Sequence, residues 1–291
     1  MEDYMEMQWL PYTLLTALSL ASADALSKKA LRNTDELAIV WVRAGYALPF
    51  LSITLFFIPV PRLDQTFWTT VAAMVPLEIT ATVLYVKAIR RSPLSLSVPF
   101  LALTPVFIIF IAFLLIGERP SPMGAAGITI IAAGAYMLNV NSSKDGLAGP
   151  LRAILKEPGS VMMIAVALIY SVTSTLGKVA VQHSSPLFFS FFYPFILTVV
   201  LTAFMAGKGT LKTVFSRPTV FLPIGLFTAL MISTHYMAIS LTNVSYMIAV
   251  KRMSVIFSVI YGKLLFKEAD IKERLLGSSM MVTGAALIVL S

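Results

Sequence analysis

Apolar side chains run along the sequence in ten blocks separated by short polar breaks, at residues 10–27, 37–58, 67–89, 94–116, 123–138, 161–181, 187–206, 220–241, 244–266 and 275–290. None shows the strict alternation of a half-buried strand, and most approach the roughly 20 residues that a helix needs to cross the hydrocarbon core of a bilayer. The pattern predicts an all-α integral membrane protein of ten transmembrane helices. The longest polar stretch, 139–158, contains Lys144, Asp145, Gly146, Gly149 and Pro150 and reads as a linker, so that residues 9–140 and 159–291 form two units around a connection at 141–158. The N-terminus carries Glu2, Asp3 and Glu6 and no basic run, which makes the first block a retained span and not a signal peptide.

The two units repeat one another. A single ungapped shift of 150 residues places Lys28 on Lys178, Ala88-Ile89 on Ala238-Ile239, Phe107 on Phe257, Glu118 on Glu268, Gly127 on Gly277 and Gly134 on Gly284. Coincidences among leucines and alanines are cheap, but a lysine, a glutamate and two glycines at one offset mark a duplication. Because each copy holds an odd number of spans, the second enters the membrane from the opposite side. The expected architecture is therefore two inverted five-helix repeats, an arrangement of secondary transporters that bind substrate near the midplane between repeats.

Composition sharpens the reading. Of 291 residues, 58% are hydrophobic and 12% charged, and the mean hydropathy is +0.86, values that exclude a soluble enzyme, a nucleic-acid binder and a disordered chain. The net charge of +8 is expected to face anionic lipid and not nucleic acid. Loops after odd-numbered spans hold Lys28, Lys29, Arg32, Lys87, Arg90, Arg91, Lys144, Arg152, Lys156, Lys208, Lys212, Arg217, Lys263, Lys267, Lys272 and Arg274, whereas the other face holds only Arg62, Arg119 and Lys178. The positive-inside rule then puts both termini outside. With no cysteine, two histidines and no HExxH, GxSxG or GxxxxGK[ST] pattern, the sequence offers no catalytic, metal or ATP-binding motif, and no cofactor is expected.

Ten spans in two copies, with Arg43 in the second, Ala88 closing the third, Leu103-Thr104-Pro105-Val106 and Gly117-Glu118 in and after the fourth, Gly127 and Gly134 in the fifth and Lys267-Glu268 after the ninth, resemble the drug/metabolite transporter superfamily in its EamA-like branch. The resemblance implies a carrier, an antiporter being the common form, in the cell (plasma) membrane. Ala249-Val250-Lys251-Arg252 followed by Val255-Ile256 is similar to the ninth-helix stretch of triose-phosphate and nucleotide-sugar translocators, in which the Lys-Arg pair binds the substrate phosphate. Basic residues of the fourth helix, used in that branch, have no counterpart at 94–116.

Charges within a membrane cost about 2.5 to 3.5 kcal/mol each even on lenient insertion scales, and usually face a wet cavity. Lys251 and Arg252 are accordingly the first candidate substrate contacts, with His235, Tyr236, Lys178, Tyr193, Tyr246 and Arg43 completing a cluster. Against this stand snorkelling of one cation to the interface, a carbonyl-bonded neutral histidine, and tyrosines of an ordinary aromatic belt. Glu78, mid-span, either carries a coupling proton or neutralises Arg43 or Lys251. Asp24 and Lys28, four apart, read as a local ion pair, and Glu118 and Glu268 as locks on loop or gate geometry. Ser171, Thr173, Ser174 and Thr175 are expected to bond their own backbone. Gly124, Gly127, Gly134, Gly277 and Gly284 fit close helix approach, within the chain or in a homodimer, while Pro76, Pro99 and Pro105 permit kinks. The function expected is secondary transport of a small organic anion, possible phosphate esters included. The alternative is export of a neutral or cationic metabolite coupled to protons through Glu78. The partners expected are the lipid bilayer and a small-molecule substrate.

Overall fold

The computed structural model describes residues 8–107, 121–138, 149–242 and 244–290. Among these the chain is helical throughout: α1 (Trp9–Ala30), α2 (Glu36–Phe57, ending in a 3₁₀ turn), α3 (Gln65–Arg91), α4 (Leu94–Phe107), α5 (Pro122–Met137), a short α6 (Gly149–Lys156), α7 (Pro158–Gln182), α8 (Pro186–Gly207), α9 (Pro218–Leu241), α10 (Val244–Lys251), α11 (Met253–Phe266) and α12 (Ile271–Val289). Helices α2, α3, α7, α8 and α9 are long and apolar enough to cross a membrane.

Local chemistry sets the boundaries. The side chains of Asp35, Asp64, Ser121 and Ser185 accept the backbone N–H three residues on, at 2.9, 2.9, 3.0 and 3.2 Å, satisfying donors that a helix start leaves free. Pro122, Pro158, Pro186 and Pro218 open their helices, where a missing N–H costs nothing. Helix α3 stops before Ser92-Pro93 with Arg90 and Arg91 in its last turn, a charge placement favoured by the helix dipole.

Two departures from the sequence pattern matter. Part of the expected linker folds as α6, whose Ile154 is buried while Leu155 is exposed. The blocks at 94–116 and 244–266 are not single helices. In α4 an α-helical turn, Leu94–Ser97, passes into a 3₁₀ segment, Val98–Leu103, where Pro99 removes a donor. The later block breaks at Arg252 between α10 and α11. Shifted by 150 residues, the 3₁₀ segment falls on residues 248–253, so both copies interrupt the same helix at the same place.

The duplication is also visible in packing. The most extensive helix pairs are α5 with α12, α1 with α9, and α7 with α3, and the last two exchange under the shift. At the α5–α12 crossing a Cβ on Gly127 would lie 2.7 Å from the Gly284 carbonyl oxygen, and one on Gly134 would lie 2.6 Å from that of Gly277. These two contacts are images of each other, as a two-fold axis between the helices requires. Gly127, Gly134, Gly277 and Gly284 thus meet within the chain.

Lysine pairs follow the same rule, and correct the expected Asp24–Lys28 pair. Lys28 Nζ donates to the carbonyls of Ile89, at 3.0 Å, and Ser92, closing the end of α3. Lys178 Nζ donates to the carbonyl of Thr242, the repeat mate of Ser92, at 2.7 Å at the end of α9. Each lysine satisfies orphan carbonyls of a helix terminus, which is why both copies keep it. Asp24 points elsewhere.

Candidate functional site

A cavity of about 150 Å³ lies between the repeats. Helix α2 supplies Arg43; α3 supplies Glu78 and, two turns on, Tyr85; α7 supplies Tyr170 and Thr173; α8 supplies Tyr193; α9 supplies His235 and Tyr236; and the break between α10 and α11 supplies Lys251 and Arg252. Of the expected contacts, Lys251, Arg252, His235, Tyr236, Tyr193, Arg43 and Glu78 therefore meet on one hollow. Lys178 does not line it, because its ammonium is held by the Thr242 carbonyl. The side chain of Tyr246 lies outside the described residues.

The cations are not equivalent. Arg43 Nη1 donates to Asp24 Oδ1 at 2.7 Å, and the Tyr85 hydroxyl donates to Asp24 Oδ2. The guanidinium also stands over the Tyr85 ring, 5.4 Å from its centroid. Asp24 is fully buried behind the wall of the cavity, so one charge of Arg43 is already balanced before any ligand arrives. Arg252, 2% exposed, donates from Nη2 to Thr104 Oγ1 at 2.7 Å. That bond ties the break of α10–α11 to the helical turn that follows the 3₁₀ segment of α4. Its Nε has no hydrogen-bond partner among the described residues.

Lys251 is half-buried, its Nζ 3.5 Å from Nδ1 of His235. It shares the hollow with Glu78, whereas Arg43 is engaged by Asp24. Tyr193 and Tyr236 continue from the cavity into an aromatic layer in which Phe189 stacks on Tyr193, with centroids 5.2 Å apart, and meets Tyr236 edge-on at 4.8 Å. Ser171 bonds the Leu168 carbonyl, as expected, whereas Thr173 and Ser174 line the cavity. Among the described residues no three His, Asp or Glu side chains gather as a metal site would require.

Sequence reasoning gave Asp24 the wrong partner, named Thr104 only within a motif, and missed Tyr85 and Tyr170. The signal available for Tyr85 was its spacing of seven from Glu78, which puts both on one helix face. For Asp24 the nearer lysine was the more visible partner.

Comparison with known proteins gives this geometry a context. The pattern of the EamA-like transporter family matches residues 7–140 and again 157–290. The chain belongs to the EamA-like transporter family. EamA-like proteins are membrane transporters of small molecules and not enzymes, and the chain is an integral, multi-pass membrane protein built from two EamA units. A solved chain, described only as a crystal structure of a protein, shares the fold with a TM-score of 0.58 at 17% identity, over 95% of this chain and 96% of that one. No curated protein matches.

Proposed function

We propose that this EamA-like protein is a secondary transporter that carries a small organic anion across the plasma membrane by alternating access. In this reading ten spans form two inverted repeats, and the face bearing Arg90, Arg91 and Lys212 lies in the cytoplasm. One observation carries the proposal. The interruption between α10 and α11 sets Lys251 and Arg252 side by side on a hollow between the repeats, where Arg43 also arrives. Interrupted helices and paired cations at that depth are the standard means of holding a carboxylate or phosphate oxygen away from bulk water. Cations in such a position are too costly to keep without use.

Glu78 supports a second reading, in which it loads a proton and the substrate is neutral or cationic, because Asp24 and not Glu78 balances Arg43. Thermal unfolding of the purified protein separates the two. Stabilisation by organic carboxylates or phosphates, lost in Lys251→Ala, supports the anion carrier. Stabilisation by amines or neutral amino acids alone overturns it.

A further inference from the structure

We infer that the cavity is matched to substrates with a single net negative charge, and that Asp24, which never touches the substrate, sets that number. The inference rests on the reading of the hollow as an anion site and adds to it the charge class of the anion.

Arg43, Lys251 and Arg252 line the cavity together with Glu78, each counted in its ordinary ionised form. The remaining carboxylate is Asp24, buried behind Arg43 with both oxygens occupied, one by the Arg43 guanidinium at 2.7 Å and one by the Tyr85 hydroxyl. His235 counts as neutral beside the Lys251 ammonium. Three cations face two carboxylates, and one positive charge is left over. Away from bulk water an uncompensated charge is far more expensive than a matched pair. A monoanion, such as a monocarboxylate or a phosphodiester, brings the occupied cavity to neutrality. A dicarboxylate or a phosphate monoester near its second ionisation overshoots by about one charge, and an uncharged molecule leaves the excess in place. Without Asp24 the same lining residues would carry two positive charges and favour a dianion. Asp24 is therefore a charge-setting residue, distinct from the residues that contact the substrate.

The test uses ligand-induced thermal stabilisation of the purified full chain in detergent, with matched probes: butyrate against succinate, benzoate against phthalate, and a dialkyl phosphate against its monoalkyl ester. The wild type is expected to bind the monoanion of each responding pair at least tenfold more tightly. Glu78→Gln, with one more positive charge, is expected to shift that ratio at least tenfold toward the dianion. Arg43→Gln, which leaves Asp24 uncompensated, is expected to lose the monoanion response. The double variant Asp24→Asn with Arg43→Gln restores the count and is expected to recover the monoanion preference, and it keeps the test alive if Arg43→Gln alone does not fold. Dianions bound as well as monoanions by the wild type, or an unshifted ratio in Glu78→Gln, would overturn the inference and leave an anion carrier standing. No response to any anion would instead remove the anion site itself.

Discussion

The Glu268 carboxylate closes on Ser95, accepting with Oε2 both its backbone N–H, at 3.0 Å, and its hydroxyl, at 2.6 Å. Oε1 takes the adjacent N–H of Leu94 at 2.9 Å. An anion from the second copy thus caps the first turn of α4 in the first copy, with Lys28 at 3.7 Å and Arg274 at 3.9 Å on either side. All three charged groups are largely buried, so deletion of the anion leaves two backbone donors without an acceptor and takes the shared carboxylate from Lys28 and Arg274. Glu268→Ala is expected to cost about 3 kcal/mol, the usual scale for breaking a buried ion pair, read as a lowered unfolding temperature in detergent. Glu268→Gln keeps an acceptor and should lose less. Equal stability of Glu268→Ala and wild type would show that the cap does not join the copies.

The glycine crossing gives a second expectation. A methyl group on Gly134 or Gly277 would sit 2.6 or 2.7 Å from the opposing carbonyl oxygen, where backbone and not a pliant side chain must move. Gly134→Ala and Gly277→Ala should each destabilise by about 1–3 kcal/mol, and by similar amounts, since the two sites mirror each other. Gly207 meets nothing within 4 Å. Gly207→Ala should be neutral or stabilising by about 0.5 kcal/mol, from helix propensity alone. Matched melting curves of the three variants decide the matter.

Thr104 supplies the hydroxyl that Arg252 grips. Thr104→Val preserves shape and removes the acceptor, leaving a buried guanidinium short of a partner. A loss of about 2 kcal/mol is expected, the range for hydrogen bonds to charged groups, whereas Thr104→Ser should remain near wild type. The comparison is a pair of unfolding curves, and a stable Thr104→Val would mean that the guanidinium has other support.

Outside the spans, the Asp64 carboxylate accepts the Phe67 N–H at 2.9 Å and meets His183 Nδ1 at 2.6 Å. The backbone bond, and after it the contact with His183, holds its pKa below the ordinary carboxylate range. A depressed folded value means that the contribution is present above the unfolded value of about 4 and disappears as pH falls through the lower, folded one. Unfolding temperatures recorded from pH 7 down to pH 3 should therefore drop less steeply in Asp64→Asn than in wild type. Identical acid limbs would remove Asp64 from the account.

Much of this fold is legible in the residues themselves. Apart from the blocks at 94–116 and 244–266, the blocks match helices to within a few positions, because burial in lipid demands apolar runs that few other constraints disturb. The offset of 150 exposed the duplication through Lys28, Glu118 and the glycines. What those residues do was less legible. Lys178 looked like a substrate contact because a lysine near a span is costly, yet its role is to close the end of α9, and only the position of Thr242 in space reveals that. Asp24 failed for the opposite reason: a partner four residues away is visible in sequence, while Arg43, nineteen away on another helix, is not. The interruption at Arg252 had no signal of its own, since neither proline nor glycine lies there.

The backbone-to-backbone crossing of α5 and α12 has a mechanical consequence. At Gly127, Gly134, Gly277 and Gly284 backbone meets backbone, so the two helices cannot slide at these points without a clash and make a stiff seam. In the alternating access proposed above, the motion that opens the hollow would then fall away from that seam, in the interrupted helices that carry Arg252 and Thr104.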